Sequence, residues 1–101
     1  MANLHGMKMV TVICEELVRP VVERLLKEVG AHGFTVFPVE GAGQQGSRRG
    51  EMSEFRNVQF EVIVQPAVAE KLMERLQSEY FPRYTMIAYE QDVRVLRREK
   101  F

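Results

Sequence analysis

The chain is predicted to be an α+β domain of βαββαβ order. This is the ferredoxin-like arrangement, in which one four-stranded antiparallel sheet carries two helices on one face. Three observations predict it. Two stretches, residues 17–29 and 66–80, space their apolar residues as amphipathic helices do. Four short β-branched or alternating runs are placed one before the first helix, two between the helices and one after the second. A long polar segment rich in glycine separates the second and third of these runs.

The first strand is expected over Met9 to Cys14, which is apolar at every second position on both faces. Leu17, Val18, Val21, Val22, Leu25, Leu26 and Val29 then repeat at helical spacing. Pro20 belongs only in a first turn, so the regular helix is expected to start near Arg19 after an irregular turn. Gly30 is placed to cap its C-terminus. Phe34 to Val39 is the second strand, with Pro38 marking where it leaves the sheet. The third strand alternates Val58, Phe60, Val62 and Val64 with Gln59 and Glu61. Pro66 opens the second helix, whose apolar stripe is Val68, Ala69, Leu72, Met73, Leu76 and Tyr80, and Pro82 stops it. The fourth strand is read in two pieces, Met86 to Tyr89 and Val93 to Leu96, interrupted by Glu90-Gln91-Asp92. Two helices cover only one face of such a sheet. Thr11 and Ile13, or Phe37 and Val39, would then lie bare unless another subunit covered them, so an oligomer is expected.

At 101 residues the chain is read as one domain, 1–101, with a flexible loop over about 41–56. Its 46% hydrophobic and 28% charged content is that of a globular protein in water. A net charge of zero argues against a general nucleic-acid binder. Charge is uneven all the same: Arg94, Arg97, Arg98 and Lys100 face only Glu99 in the tail. The single Cys14 excludes an intrachain disulfide and fits a reducing compartment. No apolar run approaches the ~18 residues of a membrane span, and no signal-peptide core is present. A cytoplasmic protein without membrane insertion is expected.

Glu40-Gly41-Ala42-Gly43-Gln44-Gln45-Gly46-Ser47-Arg48-Arg49-Gly50 is the most informative segment. Glycine lets a backbone approach a ligand closely, and successive amides in such turns form a nest for an anion. Arginine adds a planar fork that matches phosphate oxygens. Gly41 to Gly46 spells the dinucleotide fingerprint, and Glu61 has the spacing of its acid, but another strand follows where a helix is required. As a phosphate loop it fails too, because Ser47 stands at the lysine position. What survives is an anion-binding loop, set against the bland reading of a solvated surface turn in which Glu40, Glu51 and Glu54 balance Arg48, Arg49 and Arg56. His5 falls in a loose N-terminus and His32 in a turn, neither with a partner at metal-ligand spacing. Cys14 reads as core, and no nucleophile and base occur together, so no catalytic residues and no metal site are expected.

Gly30-Ala31-His32-Gly33-Phe34-Thr35-Val36, the glycine loop, Asn57-Val58-Gln59-Phe60-Glu61-Val62, Tyr80-Phe81-Pro82-Arg83-Tyr84 and Asp92-Val93-Arg94-Val95-Leu96 share their order and spacing with one family. Along nearly its whole length the chain resembles the PII signalling proteins, most closely the PII-like branch linked to bicarbonate uptake and carboxysomes. The resemblance implies a homotrimer binding adenine nucleotide in clefts between subunits, under a "T-loop" that changes shape to engage a partner. It implies loop-base contacts to phosphate from Gly41, Ala42, Gly43, Gln44, Gln45 and Ser47, with Arg48 and Arg49 gripping phosphate. Gly33, Phe34 and Thr35 with Glu61, Val62 and Ile63 would surround adenine and ribose. Tyr84, Thr85 and Met86 would line the cleft, and Arg94 would face phosphate.

Departures refine this picture. Met86 stands where other PII proteins have a lysine, and Leu96 replaces a second C-terminal arginine, which favours ADP or AMP over ATP. Asn57 replaces a lysine that helps hold 2-oxoglutarate, the loop has no tyrosine to modify, and no cysteine pair ends the chain. The function implied is regulatory, not enzymatic, with ADP or AMP as effector and bicarbonate as a candidate second anion. The partner would be a bicarbonate transporter or carboxysome-associated protein, reached in the cytoplasm or at the carboxysome. Two alternatives stand beside it: a trimeric metal-binding or structural protein of the same fold, and an acylphosphatase-type hydrolase. The latter is opposed by Glu15 and Glu16, which would repel phosphate after the first strand.

Overall fold

The computed structural model describes residues 1–41 and 56–101. β1 (His5–Glu15) leads through a 3-10 turn (Glu16–Val18) into α1 (Arg19–Val29), followed by β2 (Thr35–Val39). β3 (Asn57–Val64) is followed by α2 (Pro66–Arg75), a π-helical turn (Leu76–Tyr80), β4 (Met86–Val95) and a 3-10 turn (Arg98–Lys100). The strands lie in the order β2-β3-β1-β4, each antiparallel to its neighbours. The predicted βαββαβ architecture is therefore the observed one.

Val10, Val12 and Cys14 of β1 and Val58, Phe60, Val62 and Val64 of β3 share one core with Val22, Leu25, Leu26 and Val29 of α1 and Ala69, Leu72 and Leu76 of α2. Alternation puts these strand residues on the helix-covered face. α1 begins at Arg19 with Pro20 in its first turn, where no amide hydrogen is needed. It ends at Gly30, whose φ of 92° is left-handed. There the Gly30 amide donates to the Lys27 carbonyl at 3.2 Å and the Ala31 amide to that of Leu26 at 3.0 Å. Arg75 Nη1 donates to Glu28 Oε1 and its Nη2 to Glu79 Oε1, both at 2.9 Å, tying α2 to α1 at the surface.

Four expectations are corrected. β1 starts at His5, so this residue is paired with Val95 and not part of a loose end. β4 runs unbroken through Glu90-Gln91-Asp92, because Lys8 on β1 lies beside both acids. Its Nζ is 2.6 Å from Asp92 Oδ1 and 3.5 Å from Glu90 Oε2. The hydrogen bond to Asp92 raises the Lys8 pKa, and opposite charges facing each other across the ladder favour this pairing. Thr11, expected bare, is only 1% exposed, since its cross-strand partners Glu61 and Tyr89 are larger and flank it. Ile13, Phe37 and Val39, also expected bare, are half-buried, and the exposed apolar residues of that face are on β4, with Ile87 58% and Tyr89 44% exposed. Pro38 also stays in register, opposite Val58, because β2 is an edge strand, where proline is tolerated.

Candidate functional site

β1 serves as a ruler for the predicted site residues. At one end Glu15 pairs with Asn57, which pairs with Val39, so the two stems of the glycine loop emerge together. The Glu16 amide donates to the Arg56 carbonyl at 2.7 Å, fastening the returning stem to the end of β1. Cys14 pairs with Met86, which brings the Tyr84-Thr85-Met86 turn to this same end. Tyr84 stacks on Tyr80 with ring centroids 6.3 Å apart, and both Tyr84 and Met86 lean on the core, leaving Thr85 exposed. Gly41 is exposed, with nothing near where a Cβ would stand. Ala42, Gly43, Gln44, Gln45, Ser47, Arg48 and Arg49 lie outside the described residues.

Midway along the sheet Thr35 pairs with Glu61. Continuing that antiparallel register sets Gly33-Phe34-Thr35 alongside Glu61-Val62-Ile63, so two segments separated by the loop come together. Phe34 tilts against Phe60 at 5.3 Å, with the ring planes at 59°. Gln59 Nε2 donates to Glu61 Oε2 at 3.2 Å, orienting that carboxylate on the open face. Val62 is fully buried in the core, so only its backbone is available to a ligand. Ile63, opposite Met9, lies half-buried on the open face. A Cβ on Gly33 would meet nothing within 4 Å. The chain's own packing does not demand glycine there, which leaves room for a body from outside the chain.

Arg94 stands apart, paired with Gly6. Nine residues separate Gly6 from Glu15 along β1, about 30 Å at ~3.3 Å per residue. Arg94 and the paired stem residues Val39 and Asn57 therefore stand at opposite ends of the sheet. Around this far end lies a cleft of about 660 Å³ lined by His5, His32, Gln65, Arg98, Glu99 and Phe101, among others. Sequence spacing assigned neither histidine to any site. Both line this cleft because His5 opens β1 and His32 shortly precedes β2, which no local pattern reveals.

Cys14 is buried, and burial, with a smaller contribution from the Glu15 charge, pushes its thiol up to about 11. It is core, as the sequence indicated, and burial disfavours its thiolate. In the folded protein it is expected to react with Ellman's reagent at pH 8 at least about 100-fold more slowly than in guanidinium, reflecting rare opening of the native state. Equal rates would show that β1 frays. Between about 9 and about 11 the folded thiol keeps a proton that the unfolded chain has released, so stability falls as pH rises through that window. Among the described residues no cluster of three His, Cys, Asp or Glu side chains is placed to hold a metal. No helix among them is long and apolar enough to cross a membrane.

The nitrogen regulatory protein P-II family model matches residues 7–100. The chain belongs to the P-II family. P-II proteins are signalling regulators and not enzymes, and this one shares that class. A PII-like signalling protein of Thermus thermophilus is 39% identical, with 98% of each chain covered and a TM-score of 0.84. The CPII protein of Thiomonas intermedia with ADP and bicarbonate bound is 22% identical, covering 100% of this chain and 99% of its own, with a TM-score of 0.87. The same protein bound to ADP, AMP and acetate gives 22% identity, coverage of 98% and 97%, and a TM-score of 0.83. At that identity the likeness shows the P-II fold alone. No curated protein matches the chain.

Proposed function

We propose that this P-II protein is a homotrimeric sensor that binds ADP or AMP in clefts between subunits, with bicarbonate as a second anion. One observation carries the reading: the residues expected to hold the nucleotide fall at places about 30 Å apart along β1. A complete site therefore needs two subunits. One supplies Gly33-Phe34-Thr35, Glu61-Val62-Ile63 and Arg94; its neighbour supplies the loop base and Tyr84-Thr85-Met86. The exposed apolar residues of the open sheet face, Ile87 and Tyr89 among them, support the assembly this requires. The ligands come from the neighbouring CPII structures, which hold ADP, AMP and bicarbonate.

Nucleotide would select one state of the loop over residues 41–56 through its glycine amides and Arg48 and Arg49. That state presents or withholds a surface for a partner in inorganic-carbon uptake, such as a bicarbonate transporter or a carboxysome protein. Switching of this kind requires the ligand to bind one loop state better than the other. Isothermal titration with AMP, ADP, ATP and cyclic AMP, each with and without bicarbonate, tests the reading. The expected result is micromolar binding of ADP or AMP that bicarbonate strengthens; no heat with any nucleotide overturns it. Arg48→Ala with Arg49→Ala should weaken ADP by about ten-fold or more, since each loses charge-assisted bonds to phosphate. An unchanged affinity would remove the two arginines from the site.

A further inference from the structure

The chain has two histidines, and both line one cleft. His5 opens β1 and lies half-buried, while His32 stands exposed between α1 and β2. Gly30, Gln65, Val68, Arg98, Glu99 and Phe101 complete the lining of this 660 Å³ space. His32 directly precedes Gly33, and Gln65 lies two residues beyond Ile63. The cleft therefore borders the paired segments expected to hold adenine and ribose, and its size lies within the ~300–1,000 Å³ usual for small-ligand sites.

The charge of this wall depends on the imidazoles. Among the lining side chains Arg98 and Glu99 carry opposite charges, which offset each other while both histidines are neutral. Among the described residues neither imidazole is held in a hydrogen bond or an ion pair, whether by Glu99 or by another acid. Each proton taken up therefore adds a positive charge that no bonded carboxylate cancels. The elements around the cleft also carry Lys8 on β1, Lys27 on α1, Glu70 and Lys71 on α2, and Arg94 on β4. Of all these side-chain types, only imidazole ordinarily changes its charge between pH 5 and 8.

We propose that His5 and His32 act together as a proton-operated control of the nucleotide cleft, their protonation strengthening the binding of ADP or AMP. The inference rests on the adenine-nucleotide reading above and adds acidity to it as a second input. Binding and protonation are reciprocal, so a bound nucleotide must hold protons on the imidazoles as firmly as those protons hold the nucleotide. The ligand's own titration runs the other way. A terminal phosphate gains negative charge as pH rises through about 6, which tightens its binding to a fixed cation toward alkaline pH. Affinity that rises toward acid therefore belongs to the protein.

The test is calorimetric titration of full-length wild type and of the His5→Gln, His32→Gln double variant with ADP and with adenosine at pH 6, 7 and 8, without bicarbonate. Light scattering and circular dichroism check that each protein keeps its assembly and fold at each pH. Wild type should bind ADP about ten-fold more tightly at pH 6 than at pH 8, because the wall gains two positive charges. The double variant should lose that preference, and uncharged adenosine should vary by less than about two-fold. An NMR titration of the two imidazoles needs no variant: saturating ADP should raise each midpoint by about 0.5, the ten-fold effect being shared between two sites.

The proposal is overturned if wild type binds ADP equally well at pH 6 and pH 8, or more weakly at pH 6. It is overturned as well if the double variant keeps the wild-type profile, which assigns the proton to another group, or if either imidazole midpoint stays unmoved. Adenosine that follows the ADP profile also overturns it, because the effect is then not one of charge. Wild type that binds no ADP at any pH overturns the nucleotide reading and this inference together, whereas the other outcomes leave that reading standing.

Discussion

Phe60→Ala is expected to cost about 3–5 kcal/mol of folding stability, as truncation of a fully buried phenylalanine does. Phe60 is 0% exposed, the largest of the fully buried side chains, and sits at the middle of β3 between Val36 on β2 and Val12 on β1. Removing it forfeits the transfer energy of the ring and leaves a cavity where the sheet meets both helices. It also breaks the tilted pair with Phe34, the kind of contact that adds roughly 0.5–1.5 kcal/mol beyond area. Against the ~5–15 kcal/mol that holds a typical domain, this single change removes about a fifth or more. Chemical denaturation would show the midpoint falling with an unchanged slope. A loss below about 1 kcal/mol would mean that the core is not centred on β3. Phe34 holds Gly33 and Thr35 beside β3, so the variant should also weaken any ligand bound there.

Ile87→Glu is expected to convert a trimer into a folded monomer. Register aligns Phe37, Gln59, Ile13 and Ile87 in one row across the open face of the sheet. In the single chain Ile87 is more than half exposed, so a glutamate there is solvated and the fold survives. Under a covering subunit the same carboxylate would be buried without a partner, at a cost of several kcal/mol in each interface. Light scattering should report three times the 11.7 kDa chain for wild type and one chain for the variant, with near-identical circular dichroism. Nucleotide binding should disappear with the trimer if, as proposed, each cleft takes its residues from two subunits. A variant that stays trimeric would place the interface elsewhere.

The parts that local pattern encodes were legible. Pro20 and Gly30 bracket α1 because one lacks an amide hydrogen and the other tolerates a left-handed φ, both properties of single residues. β3 was legible for a similar reason, since its alternation follows from burying one face. The start of β1 was not. His5-Gly6-Met7-Lys8 has no apolar alternation on the helix-facing side, and its strand conformation comes from pairing with β4. The continuity of β4 was hidden as well, because Glu90 and Asp92 read as a break until Lys8 is placed beside them.

By itself the sequence determined the order of the elements, the buried faces of α1, α2 and β3, the glycine-arginine loop and the family. Each of these is written in residue types at short spacing, where propensity, periodicity and motif act within a few residues. Only the tertiary structure decided which residues share a place: Thr35 with Glu61, Met86 with Cys14 at the loop end, Arg94 with Gly6 about 30 Å away, and His32 with Arg98 around one cleft. Those pairings depend on strand register, the joint optimum of cross-strand contacts between segments far apart in the chain, and a slip of one residue would turn every side chain to the opposite face.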